Sequence, residues 1–147
     1  MTPVSQKRPE ANLGQVVSVR GSVVDVRFPE QLPAINNLLR AGKDGNIVIE
    51  VINHQNSQVV RGIALTPTRG LALASRVTDS GHPIKVPVGE RLLGRVFNVF
   101  GETIDNKEEV SGGDWRSIHQ RPVPLTRQST ISEIFTTGIK AIDVLAP

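Results

Sequence analysis

GQVVSVRGSVVDVRF, Gly14 to Phe28, carries the pattern from which the fold is read. Val17 and Val19 alternate with polar residues, then the phase shifts, and Val24, Val26 and Phe28 carry the next alternation. Such alternation marks a half-buried strand. A shift from odd to even positions turns the core face outward unless an extra residue or a turn intervenes. Gly21-Ser22 stands at the change of phase and suits a bulge or a tight turn. Pro29 and Pro33 then bracket a loop.

Downstream, IVIEVI (Ile47 to Ile52), the polar turn NHQNS and QVVRGIAL (Gln58 to Leu65) read as a hairpin. The loop TPTRG separates it from LALASRV, and TDSG (Thr78 to Gly81) is expected to turn the chain into HPIKVPVG. Short strands at roughly 8–12-residue spacing, without helices between them, predict a small closed antiparallel barrel. Closure removes the edges through which so apolar a sheet would pair with other chains.

After Gly89 the pattern changes. ERLLGRVFNVFGETID holds a dense apolar run ending at Gly101, and Asn106 to Gly113 form a polar loop. Thr130 and Glu133 have capping-box spacing ahead of Ile134 and Phe135, which predicts a helix start there. Ile139 and Ile142 are spaced as on a short helical turn. Residues 90–147 have no alternating strand and helix units with which to complete a core. The fold class is therefore mainly β: a six-stranded closed barrel at residues 13–89, preceded by a flexible tail at 1–12. An unfinished segment follows at 90–147.

Composition narrows the function. Hydrophobic residues are 38% and charged residues 21% of the 147, which supports a packed core. Aromatics are only 3%, so Val, Ile and Leu must build it. The formal charge of +3 and a pI near 9.8 raise a nucleic-acid reading. Dispersed arginines and the scarcity of stacking aromatics count against it. Zero Cys excludes disulfides, thiolate chemistry and zinc fingers. No apolar run approaches the roughly 18 residues of a membrane span, and no secretory leader is evident.

Four blocks match one family in order and spacing: Gly14 to Phe28, GHPIKVPVGERLLGRVFNVFGETID (Gly81 to Asp105), RSIH (Arg116 to His119) and TGIKAIDVLAP (Thr137 to Pro147). Together they resemble the beta-subunit family of F-type ATP synthases. NVFGE (Asn98 to Glu102) and Ile118-His119 look like the catalytic beta chain, unlike the alpha chain or the flagellar and type III export ATPases. Thr103 and Thr137 depart from the common pattern, with Pro and Glu usual there. QRPVPLTRQSTISEIF looks more like the divergent beta chains of alternative, sodium-type bacterial enzymes.

The resemblance implies a three-domain subunit whose N-terminal barrels form the crown of an alternating alpha–beta ring. Residues 90–147 would then be the truncated start of the α/β nucleotide-binding domain. Implied partners are alpha subunits and the rest of the complex, with no nucleic acid. Implied localisation is peripheral, on the cytoplasmic side of the bacterial inner membrane. Mg-ATP and ADP would be ligands of the full-length subunit only.

A phosphate loop needs G-x-x-x-x-G-K-[ST]. The one Gly-Lys pair, Gly42-Lys43, is followed by Asp44, and Asn37 stands where the first Gly would be. No catalytic, cofactor-binding or metal residue is assigned. Asp25 has no second carboxylate nearby in sequence and reads as a solvated or hydrogen-bonded strand residue. His54, His82 and His119 are too dispersed for a metal site. Arg61 and Arg95 read as exposed arginines that could face a neighbouring subunit. Gly21, Gly81, Gly89, Gly94 and Gly101 are expected to serve backbone geometry, with Pro87 and Gly89 setting the exit from the barrel. Alternatives are a stand-alone barrel binding RNA or single-stranded DNA, and the equivalent chain of an export ATPase.

Overall fold

A computed structural model describes residues 12–145 apart from 111 and 132. Six strands, β1 (Leu13–Arg20), β2 (Val23–Arg27), β3 (Asn37–Ala41), β4 (Ile47–His54), β5 (Val59–Ala64) and β6 (Arg76–Pro83), close into a barrel in the order β1-β2-β5-β4-β3-β6. Every neighbouring pair is antiparallel, and β1 closes the ring by pairing Leu13, Gly14 and Gln15 with Thr78, Val77 and Arg76 of β6.

The change of phase is handled twice. Gly21, with φ of 63°, and Ser22 make the tight turn between β1 and β2. A second correction lies inside β1, where the register slips between Val16 and Ser18 and leaves Val17 as the extra residue of a bulge. Before the bulge Gly14 and Val16 are buried; after it Val19 packs on the core. Val17, expected to share a face with Val19, is 38% exposed.

The interior is aliphatic, as the scarcity of aromatics required. Val24, Val26, Leu39, Ile49, Val51, Val60 and Val77 are fully buried around the single ring of Phe28. Each such side chain contributes about 1.5–3 kcal/mol on leaving water. The packing leaves no room at Gly62, where a Cβ would lie 2.5 Å from Ile49 Cγ2 and 2.7 Å from the Glu50 carbonyl oxygen.

Three expectations are corrected, and one strand went unread. TDSG is not a turn but the middle of β6, because Thr78 and Asp79 pair with β3 and the Asp79 carboxylate binds its surroundings. It accepts hydrogen bonds from Asn12 Nδ2 (3.3 Å), Asn37 Nδ2 (3.1 Å) and the Gly81 amide (2.9 Å). NLLRA, which no alternation announced, supplies β3. Lys85–Val88, expected within the barrel, is β7 and pairs with β8 (Asp114–Ser117) in a separate two-stranded sheet. The barrel therefore ends at Pro83, ahead of Pro87 and Gly89. Finally, no helix starts at Thr130. The one α-helix among the described residues is α1, Lys140–Leu145. Ile134 and Phe135 are both 85% exposed. Without an apolar surface to pack on, a capping box does not nucleate a helix.

The tail expected at 1–12 lies outside the described residues except for Asn12, whose side chain donates to the Gln31 carbonyl at 2.9 Å. All five glycines singled out by sequence, Gly21, Gly81, Gly89, Gly94 and Gly101, have positive φ.

Substituting Gly62→Ala is expected to destabilise the protein by about 2 kcal/mol through overpacking, read as a lower urea midpoint. Amide hydrogen exchange should be slowest in β1–β6 and fastest beyond Ile118, where nearly every described residue is exposed. Uniform protection across both regions would contradict that division.

Candidate functional site

Closure leaves the outer wall of the barrel as its working surface, and several charged residues on it have a defined partner. Val24 and Val26 of β2 point inward, so Asp25 points out. There it sits opposite Arg61 of β5 and Ser18 of β1. The Arg61 guanidinium donates two bonds to the carboxylate, Nε to Oδ1 at 2.7 Å and Nη2 to Oδ2 at 3.0 Å. Arg20 adds a third at 3.1 Å. Hydrogen bonding from Arg61, more than offsetting burial, holds the Asp25 carboxyl below its usual range, with smaller contributions from Arg20. A carboxylate held this way is a poor proton acceptor. Its arrangement is that of a cross-strand tie.

Arg95, read from sequence as exposed, instead closes the loop that follows the barrel. It donates to Asp105 at 2.5 and 3.0 Å and to the Glu108 carbonyl at 2.7 Å. The Asp105 carboxyl is driven far below its ordinary value, chiefly by that hydrogen bond. Within this clamp Phe97 bridges Thr103, and Asn98 donates to Glu102 at 2.6 Å. Thr137, the other departure from the common pattern, donates from its amide (2.9 Å) and hydroxyl (2.6 Å) to Asp143 of α1.

The three histidines remain apart. His54 Nε2 donates to the Pro33 carbonyl at 2.8 Å and His82 Nδ1 to that of Pro83 at 2.9 Å. His119 Nε2 meets Glu50 Oε1 of β4 at 2.7 Å. No group of three His, Cys, Asp or Glu close enough to hold a metal occurs among the described residues. Gly42-Lys43 lies in the turn joining β3 to β4, with a strand, not a helix, after it.

The His119–Glu50 contact belongs to a seam. Leu38 of β3 and Val48 of β4 face outward, yet both are buried, because Ile84, Val86 and Phe100 pack over them. The Ile118 amide donates to the Ile84 carbonyl at 3.1 Å. The β7–β8 sheet is thereby fixed on the outer wall of β3 and β4. Beside it an open cleft of about 190 Å³ is lined by Pro87, Phe97, Glu102, Glu109 and Trp115, among others.

Sequence reasoning missed a second cleft. Gln15 of β1 pairs with Arg27 of β2 on one side and with Arg76 of β6 on the other, which sets the three outward side chains in one row. They line an open cleft of about 330 Å³ together with Leu13, Gly14 and Pro29. Read along the chain, Arg27 and Arg76 are merely scattered; only the strand register brings them together.

Comparison with known proteins adds a further finding. Residues 16–81 match the model of the ATP synthase alpha/beta family, beta-barrel domain. The chain is 55% identical over 141 residues to ATP synthase subunit beta 1 of Marinomonas sp. (strain MWYL1), covering 92% of this chain and 29% of that protein. It is 57% identical over 136 residues to ATP synthase subunit beta 2 of Albidiferax ferrireducens, covering 92% of this chain and 26% of that one. ATP synthase subunit beta 1 of Psychromonas ingrahamii is 57% identical over 136 residues, 92% of this chain and 28% of its own. The chain thus spans under a third of the length of the relatives it matches.

Because the Asp25 carboxyl is depressed on folding, it adds stability at pH values above its unfolded value, and that stability is lost as pH falls through the folded value. Asp25→Asn is expected to be less stable than the parent at pH 7. The expected loss is about 1 kcal/mol, discounted because both arginines reach solvent. The gap should narrow below about pH 4, as read by urea unfolding at each pH. A gap that widened in acid would contradict the assignment.

Proposed function

From the chain's membership of the ATP synthase alpha/beta family, carried by the barrel at residues 16–81, we propose that this region is the ring-assembly module of a catalytic beta subunit. The full-length subunit synthesises and hydrolyses ATP inside the complex. The barrel's task is to hold neighbouring alpha subunits in register. The observation that carries this reading is the sealed cylinder itself. Its strands pair around a closed ring and aliphatic side chains fill its centre, so it is suited to lateral contact through side chains.

The nucleotide-binding reading stops short of this chain. Nowhere in its sequence is there a G-x-x-x-x-G-K-[ST] run, and the backbone cradle for phosphates that such a run builds is what fixes the anion. We assign no nucleotide ligand to residues 1–147, and Mg-ATP or ADP to the full-length subunit. Membrane association is peripheral and by way of the complex, on the cytoplasmic side. Among the described residues no helix is long and apolar enough to cross a bilayer. The stretch from Gln120 to Phe135 favours the divergent, alternative type of enzyme.

Binding of single-stranded nucleic acid is disfavoured by the barrel's surface. Phe28, its one aromatic residue, is in the core, so its outer wall has no platform on which a base could stack.

The test is paired. Coexpressed with an ATP synthase alpha subunit, the 147-residue chain should be retained on that subunit through purification. In calorimetry it should show no micromolar binding of Mg-ATP. Failure of capture would remove the assembly role, and micromolar Mg-ATP binding would remove the division of labour between barrel and full-length subunit.

A further inference from the structure

Closure also dictates how a partner can be recognised. With every strand of the barrel paired to two neighbours, its wall leaves little backbone free for strand addition. Recognition must come from outward side chains, and several cationic ones are already committed. Arg20 and Arg61 bind Asp25, and Arg95 binds Asp105. Arg40 donates to the Gly45 carbonyl at 3.3 Å.

Arg27 and Arg76 differ. Both are exposed, and neither has a carboxylate partner among the described residues. Strand register holds them on either side of Gln15, two strand spacings or roughly 10 Å apart, in the shared 330 Å³ cleft. Two cations across one cleft repel each other, a cost that an anion between them would turn into attraction. Gln15 offers an amide donor at the middle of the row. Leu13, 44% exposed, and Pro29 give the cleft an apolar wall. Arginine beside exposed aliphatic surface is the composition of an interface centre, and the guanidinium fork suits a carboxylate.

The geometry points to the β6–β1–β2 wall, centred on Arg27, Gln15 and Arg76, as the docking surface for an acidic segment of a partner protein. The Asp or Glu carboxylates of that segment would lie between the two guanidinium groups. This inference rests on the assembly reading for the partner's identity, which would be the adjoining alpha subunit, but not for the chemistry of the surface.

Two measurements separate the surface from the reading. In the first, the ¹⁵N-labelled 147-residue chain is titrated with hexaglutamate at low salt. Amide shifts should centre on Leu13, Gln15, Arg27 and Arg76, with affinity falling at least tenfold in Arg27→Gln/Arg76→Gln. Affinity should hold within twofold in the charge-matched Arg121→Gln/Arg127→Gln. Equal loss in both variants, or shifts elsewhere, overturns the proposal. Saturation by inorganic phosphate at equal concentration would reveal a small-anion site and overturn it too. So would a tenfold gain in Glu10→Gln, which would place the chain's own acid in the cleft. In the second, the same variants are captured by an ATP synthase alpha subunit. Parent and Arg27→Gln/Arg76→Gln captured alike would overturn the surface and leave the assembly role intact. No capture of the parent, with the hexaglutamate result as expected, would remove the assembly role and leave the surface.

Discussion

Strand β1 must satisfy two neighbours at once, β2 along most of its length and β6 along its first three residues. A sheet of six strands closes only if one strand can bend from the first partner to the second. The bulge at Val17 provides that bend. It lets Gly14 and Val16 fill the interior at one end of the strand and Val19 at the other. It also permits the close approach of Phe28 to Gly14, where a Cβ would come within 2.8 Å of the ring. The aliphatic core and the outward row of side chains follow from that bend, which further register shifts between Asn37 and Leu39 and between Val51 and Asn53 complement around the ring.

The outer wall divides accordingly into surface that is already satisfied and surface that is not. Asp25 draws Arg20 and Arg61 together, and Glu50 meets His119. Leu38 and Val48 are covered by Ile84, Val86 and Phe100. These contacts tie strands to each other and the second sheet to the barrel. The β6–β1–β2 wall carries Arg27 and Arg76 without such partners among the described residues. The contrast between the two walls follows from strand order, since it is register, not sequence spacing, that chooses each neighbour.

The legible parts of the sequence are those in which one face of a strand is wet. Val24, Val26 and Phe28 alternate cleanly, and the hairpin of β4 and β5 was readable from its apolar runs and polar turn. NLLRA gave no such signal because both faces of β3 are covered. Leu39 and Ala41 lie in the core, and Leu38 lies under Ile84. TDSG looked like a turn because its residue types favour turns; within β6 the Asp79 carboxylate spends that capacity on Asn12, Asn37 and Gly81. Asp25 read equally as solvated or as hydrogen-bonded, because its partner across the β2–β5 ladder lies at a separation no local pattern reveals. Four quoted blocks carried the family; the pairing of Arg27 with Arg76 could come only from the closed ring.

The path by which the chain enters and leaves the barrel has a mechanical meaning. Asn12 lies against Asp79, its carbonyl accepting from that amide at 2.9 Å, so the strand that begins the barrel starts beside the strand that ends it. Tension applied between the two flanking segments would therefore fall on the β1–β6 junction at one end and peel Leu13, Gly14 and Gln15 away in succession. It would not load all three rungs together. Such a junction parts under small force, so the cylinder is a weak tether for anything that pulls on its two ends and a sound one only while neighbours press it from the side.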